Sequence, residues 1–284
     1  MTPSVDRLSA LLDRFRIRAH LFHTGPLCGV TSFAAQPGRG FLHVLRRGSM
    51  EVTHRSRGVK RVIKVDEPTL LFYPRPLAHS FHNAPIEGSD FVCATLDFDG
   101  GDAHPLARAL PPLVVLPLRE VGGLEHTLAL LFSETEQVRC GQRLIADRAF
   151  EILVMQLVRW LLDHADEVEL PPGLLTGLSE PRLARALVAL HDRPGSDWTL
   201  ETMAHEAGMS RSAFAASFRE HVGQPPAEYL AQWRMAIAQG LLRGGAAVKA
   251  IADELGYGSA SAFSRAFTQV VGQSPRAWLS HQEQ

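Results

Sequence analysis

The sequence predicts an α+β chain: a small N-terminal β-barrel or sandwich, a helix pair behind it, and an all-helical C-terminal domain with two helix-turn-helix motifs. Three observations predict it. Short apolar segments broken by turns fill residues 21–98, the apolar period then lengthens from two residues to 3.6, and the helical C-terminal part contains an internal repeat. With 284 residues, 45% of them hydrophobic, the chain has the material for two cores.

The β segments are 29–33, 41–47, 50–53, 59–65, 69–73 and 91–98, separated by Gln-Pro-Gly-Arg-Gly, Arg-Ser-Arg-Gly, Asp-Glu-Pro and Glu-Gly-Ser-Asp. A Pro-rich crossover at 111–117 follows. Leu124, Leu128, Leu131 and Phe132 then make one helical stripe, and Ile145, Ala149, Ile152, Leu153, Leu157 and Leu161 a second. Such a pair either covers an open barrel end or forms a dimer surface. The predicted organisation is a barrel over 1–122, a helical pair over 123–168, a breaker-rich linker over 169–180 and a helical domain over 181–284.

Composition narrows the function. A net charge of -1 argues against an indiscriminate nucleic-acid binder. From Pro181 onward there are ten Lys/Arg and nine Asp/Glu, but between Leu255 and Gln282 there are two arginines and no acid. No apolar run approaches the ~18 to 20 residues of a membrane span, and the first residues lack the apolar region of a secretory signal, so the expected location is the cytoplasm. Three cysteines do not make a disulfide framework.

The repeat aligns Ala204-His-Glu-Ala-Gly208 and the following Phe214, Phe218, Gly223 and Pro226 with Ala252, Gly256, Phe263, Phe267, Gly272 and Pro275. The copies differ in spacing by one residue, in the turn. Each has the parts of a helix-turn-helix. Thr199 can cap a first helix, Gly208 supplies the left-handed residue that ends it, and Ser210 caps the second. Phe214 with Phe218, and Phe263 with Phe267, are i, i+4 pairs that bury one face of the second helix. The opposite face is left for a DNA groove.

These residues, above all Gly256-Tyr-Gly-Ser-Ala-Ser-Ala-Phe-Ser-Arg-Ala-Phe267 followed by Gly272-Gln-Ser-Pro275, resemble the AraC/XylS family of bacterial transcription regulators over about 183–279. The resemblance implies seven helices, two recognition helices in successive major-groove segments, and a linker helix over 227–243. It implies base-reading positions at Arg211, Ser212, Ala215 and Ala216, then at Ala260, Ser261, Ser264 and Arg265, with Ser259 beside them. Arg211 and Arg265 are the groove-facing residues able to grip guanine through two hydrogen bonds. Arg219, Arg234 and Lys249 are better placed for phosphate. Double-stranded DNA, RNA polymerase and a second copy of the chain are the partners implied.

The β segments resemble the cupin-like effector domain of such regulators through Phe41-Leu-His-Val-Leu-Arg-Arg-Gly48 and Phe72-Tyr-Pro74-Arg-Pro-Leu-Ala-His79. The first motif has one histidine, His43, where metal-binding cupin enzymes carry a His-x-His pair and a glutamate. Cys28, His43, His79 and Cys93 form a candidate set for tetrahedral zinc, with His23 or His82 as substitutes. Alternatively, Cys28 and Cys93 form an oxidant-sensing thiol pair, or the interior binds a small organic effector. A regulator controlled through the barrel is the expected function. A cupin metalloenzyme with a helical appendage and a helical protein-interaction adaptor are the competing classes.

Overall fold

The computed structural model describes residues 5–56, 58–168 and 170–282; Arg57 of the expected Arg-Ser-Arg-Gly turn lies outside them. The chain divides into two compact units, Arg16–Val168 and Met1–Phe15 with Glu169–Gln284.

Among the described residues the first unit contains nine strands: β1 (Ile17–Leu27), β2 (Val30–Phe33), β3 (Arg39–Arg47), β4 (Met50–Ser56), β5 (Val59–Val65), β6 (Thr69–Tyr73), β7 (His79–Asn83), β8 (Ser89–Phe98) and β9 (Val114–Pro117). They form antiparallel sheets in the orders β1-β8-β3-β6-β9 and β2-β7-β4-β5. Side chains from both sheets meet in one core, with Phe41, Leu71, Tyr73 and Phe91 from the first against Val52 and Phe81 from the second. Six strands fall on the expected segments. β1, β7 and β9 escape the alternation test because β1 and β9 are edge strands carrying prolines and β7 is rich in histidine and asparagine.

Three α-helices belong to the described residues of this unit: α2 (Pro105–Ala109), α3 (Glu125–Glu136) and α4 (Gln142–Asp163). The last two match the expected stripes. α4 lies along β1, and its acids protect that exposed edge: the Leu21 N–H donates to Asp147 at 2.6 Å and the Ala19 N–H to Glu151 at 3.2 Å. Edge N–H groups satisfied this way do not recruit another strand.

The second unit is helical: α1 (Ser9–Arg14), α5 (Leu174–Ser179), α6 (Pro181–Asp192), α7 (Leu200–Ala207), α8 (Arg211–Val222), α9 (Pro226–Arg243), α10 (Val248–Glu254), α11 (Ala260–Val271) and α12 (Pro275–Gln282). Two sequence expectations change here. Residues 5–15, read with the barrel, pack in this unit: Leu11 is buried, Phe15 lies 5.2 Å ring to ring from Trp233, and Arg14 approaches Glu254 at 3.8 Å. Burying two large apolar side chains contributes about 3 to 6 kcal/mol, enough to hold a six-residue helix that would not form alone. The stretch read as a linker over 169–180 contains α5, whose Leu174, Leu175 and Leu178 are buried. Gly177 permits this packing, since a Cβ there would come within 2.6 Å of Val222.

Candidate nucleic-acid interface and barrel interior

α8 and α11 are built alike. Ser210 accepts from the Ala213 N–H at 3.3 Å, and Ser259 accepts from the Ala262 N–H at 3.1 Å. Gly223 and Gly272 end the two helices at φ +79° and +87°. The Phe pairs are fully buried, with ring centroids 5.4 Å apart at Phe214–Phe218 and 5.7 Å apart at Phe263–Phe267. Burial of that face presents the other one. Arg211, Ser212, Ala216 and Arg219 are exposed on α8, as are Ser261 and Arg265 on α11, while Ala215, Ala260 and Ser264 are half-buried.

The polar groups on these faces are not equally available. Arg211, Arg219, Arg265 and Lys249 make no hydrogen bond or ion pair among the described residues, so their charges are free for a ligand. Ser264 donates to the Ala260 carbonyl at 2.8 Å, which leaves it only as an acceptor, and Ser259 is engaged as the cap of α11. Arg234, expected at phosphate, is instead a tie within the domain. Its guanidinium donates to Pro194 O at 2.7 Å and Ser196 O at 3.0 Å and lies 5.5 Å from the Tyr257 ring. The sequence placed it correctly on the linker helix but carried no sign of these carbonyls, which arrive from forty residues away.

In the barrel, His43 and His79 come together across the two sheets, Nε2 to Nε2 at 3.0 Å, and both are buried. His79 Nδ1 lies 2.8 Å from Leu77 O and must carry a proton to bond it. Its Nε2 is therefore the acceptor, and His43 donates from Nε2. That assignment leaves His43 Nδ1 as a buried lone pair without a partner among the described residues. Burial lowers the pKa of both, His43 well below 6.5 with His79 contributing, and His79 to about 4 despite the opposing carbonyl bond. Both rings are neutral at pH 7.

The predicted four-ligand zinc set is not assembled. Cys28 is exposed and its Sγ lies 3.8 Å from Ile86 O. His23 Nε2 is engaged with Gly25 O and His82 Nε2 with the Thr53 hydroxyl. Among the described residues no three His, Cys, Asp or Glu side chains group to hold a metal ion. The physical reason is that side-chain alternation fixes a face but not a depth: Cys93 sits opposite His43 in the β3–β8 ladder, whereas Cys28 lies beyond the end of β1. The predicted thiol pair also separates, into an exposed Cys28 and a buried Cys93 whose pKa burial raises. The four side chains expected to hold zinc therefore do not converge.

Sequence reasoning missed Tyr73, His54 and Asn83. Tyr73 stacks on His79 at 3.9 Å between ring centroids, and its hydroxyl is buried without a partner among the described residues, as are His54 Nδ1 and both polar atoms of the Asn83 side chain. All five residues of β6 are buried, so Tyr73 gave no alternation signal.

Residues 6–163, more than half the chain, match the cupin domain family, and residues 203–281 match a helix-turn-helix domain family. This chain belongs to the AraC/XylS family of transcription regulators and carries a cupin domain. The matched stretch is 37% identical over 179 residues to a putative AraC-like transcription regulator of Streptomyces lividans, covering 62% of this chain and 58% of that one. It is 36% identical over 177 residues to the regulator AlkR of Acinetobacter baylyi, covering 61% and 57%. The AraC-family match thus spans less than two thirds of either relative. Among solved structures, the DNA-binding domain of AdpA in complex with a target DNA shares 29% identity with a TM-score of 0.33, over 34% of this chain and 89% of that one. No helix among the described residues is long and apolar enough to cross a membrane.

Proposed function

We propose that the chain is a sequence-specific, dimeric, cytoplasmic regulator of transcription that grips double-stranded DNA through α8 and α11. The observation that carries this is the duplicated architecture: two serine-capped helices, each anchored by a buried phenylalanine pair and each presenting an unpaired arginine, Arg211 or Arg265. Two such helices on one domain suit successive major-groove segments. Binding of a promoter fragment from the gene's own neighbourhood tests it. The wild-type chain shifts that fragment, and the Arg211→Ala, Arg265→Ala double variant loses most of the preference for it over unrelated DNA. Equal binding of both fragments by the wild type would sink the proposal.

The barrel supplies the control. A small organic effector is the reading that its interior supports, because the Tyr73 hydroxyl and His43 Nδ1 are buried polar atoms that lack a bond the protein itself could give. Dimerisation uses the outer face of α4, where Leu144, Ile145, Ile152 and Met155 remain exposed at helical spacing while the opposite face packs on β1. RNA polymerase is the partner through which a regulator of this family acts on transcription.

A further inference from the structure

A cavity of about 650 Å³ lies in the DNA-binding unit, between α8 and α9 and beside the start of α7. Its walls are mostly apolar. Met203 and Leu230 are buried in them, Leu200 is 41% exposed, and the small side chains of Ala215, Ala227 and Ala231 leave the space unfilled. The polar groups around it are nearly all occupied: the Trp198 N–H donates to Arg193 O, Thr199 caps α7, and Arg234 holds Pro194 O and Ser196 O. Arg219 differs. It lines the same cavity, is exposed, and makes no hydrogen bond or ion pair among the described residues.

The cavity thus offers an apolar chamber with one uncommitted positive charge. DNA does not match that chemistry well. A phosphate backbone needs several cations along its track and leaves a concave apolar chamber unfilled. A small molecule with an apolar body and a single anionic group fills the chamber and neutralises the guanidinium, which is the usual composition of a ligand site: apolar walls with few polar anchors. We propose that this cavity is a second effector site, separate from the barrel, that binds a small anionic amphiphile. Ala215, Ala216 and Arg219 belong both to the cavity wall and to the candidate DNA-reading helix. Ligand and DNA therefore exclude one another, and this last step rests on the proposed DNA-binding function.

Isothermal titration of the full chain with naphthalene-2-sulfonate tests the site, with the uncharged naphthalene-2-sulfonamide as the matched control. The sulfonate binds one per chain and at least tenfold more tightly than the sulfonamide. Ala231→Trp, which fills the chamber from α9, abolishes binding, and Arg219→Gln removes the preference for the charged probe. Thermal unfolding establishes that both variants retain their fold. Absence of binding at millimolar concentration overturns the proposal, and so does binding unchanged by either variant, which would place the probe elsewhere. Loss of DNA binding in Ala231→Trp with no probe binding by the wild type also overturns it, assigning the cavity to the DNA interface. Competition is read separately: if the wild type binds its promoter fragment and saturating sulfonate does not displace it, mutual exclusion fails. If the fragment is never bound, the proposed function fails while the site itself is judged by titration alone.

Discussion

His43 donates from Nε2 to His79 Nε2 across 3.0 Å, with the direction of that bond set by the Leu77 carbonyl on the far side of the His79 ring. The pair bridges the two sheets, so its protonation state is coupled to barrel stability. Both pKa values are lowered, chiefly by burial. In the unfolded chain these histidines take up protons near pH 6.5; in the folded barrel His79 does so only near 4. Between those values the unfolded state holds more protons, so stability is full above pH 6.5 and falls as the pH drops toward 4. The expected loss is about 3 kcal/mol for His79 alone. Urea unfolding at pH 7.5, 6 and 5 measures it. His79→Gln weakens the barrel at pH 7.5 and flattens its pH dependence, and an unchanged slope would contradict the buried neutral pair. His191, lowered to about 3 by burial and by Arg14, adds a similar dependence to the helical unit and survives in that variant.

Gly256 gives a second test. Its φ is +74°, and a Cβ there would run into the Gly195 backbone. Gly245 has nearly the same conformation, φ +79°, but open space where its Cβ would go. Gly245→Ala therefore costs about 1 kcal/mol for backbone strain alone. Gly256→Ala costs at least twice that, because the turns that carry Gly195 and Gly256 must separate. Unfolding followed by fluorescence of Trp198, Trp233 and Trp278 compares them. Equal costs would mean that the close approach has no energetic role.

On DNA, arginines at different positions have separable signatures. Arg211→Ala and Arg265→Ala each lose about 1 to 3 kcal/mol and relax preference at one base pair. Arg219→Gln weakens all sequences alike and reduces the salt slope by about 0.9. Arg234→Gln lowers thermal stability, since it unties Pro194 and Ser196, but leaves the salt slope intact. Binding isotherms between 50 and 200 mM salt, over a panel of single-base operator variants, separate the four.

The α4 face makes a prediction about assembly. Ile152→Glu places a charge in the middle of the exposed stripe of Leu144, Ile145 and Met155 without touching the side packed on β1. Sedimentation equilibrium then shows a monomer where the wild type is a dimer, with the melting temperature of the dilute protein little changed. A variant that remains dimeric moves the interface elsewhere.

Much of the C-terminal unit was legible because its signals are local. Caps, left-handed glycines and i, i+4 phenylalanines act within a single turn or helix, so Thr199, Gly208, Ser210 and the two phenylalanine pairs could be placed from spacing alone. The helix over 227–243 was found to within one residue of α9. The barrel was legible strand by strand where burial alternates, and illegible at β1, β7 and β9.

By itself, the sequence determined the duplicated helix-turn-helix, the positions of its exposed arginines, the helix pair and most of the sheet segments. Tertiary structure alone decided that residues 5–15 join the helical unit, that Arg234 serves carbonyls instead of phosphate, that Cys28 stays apart from the His43–His79 pair, and that small residues of α8 and α9 line a cavity. The difference is physical. Periodicity and capping report which way a residue faces within its own element, whereas these four outcomes depend on how far apart two elements lie, and that distance is set by packing between residues remote in the chain.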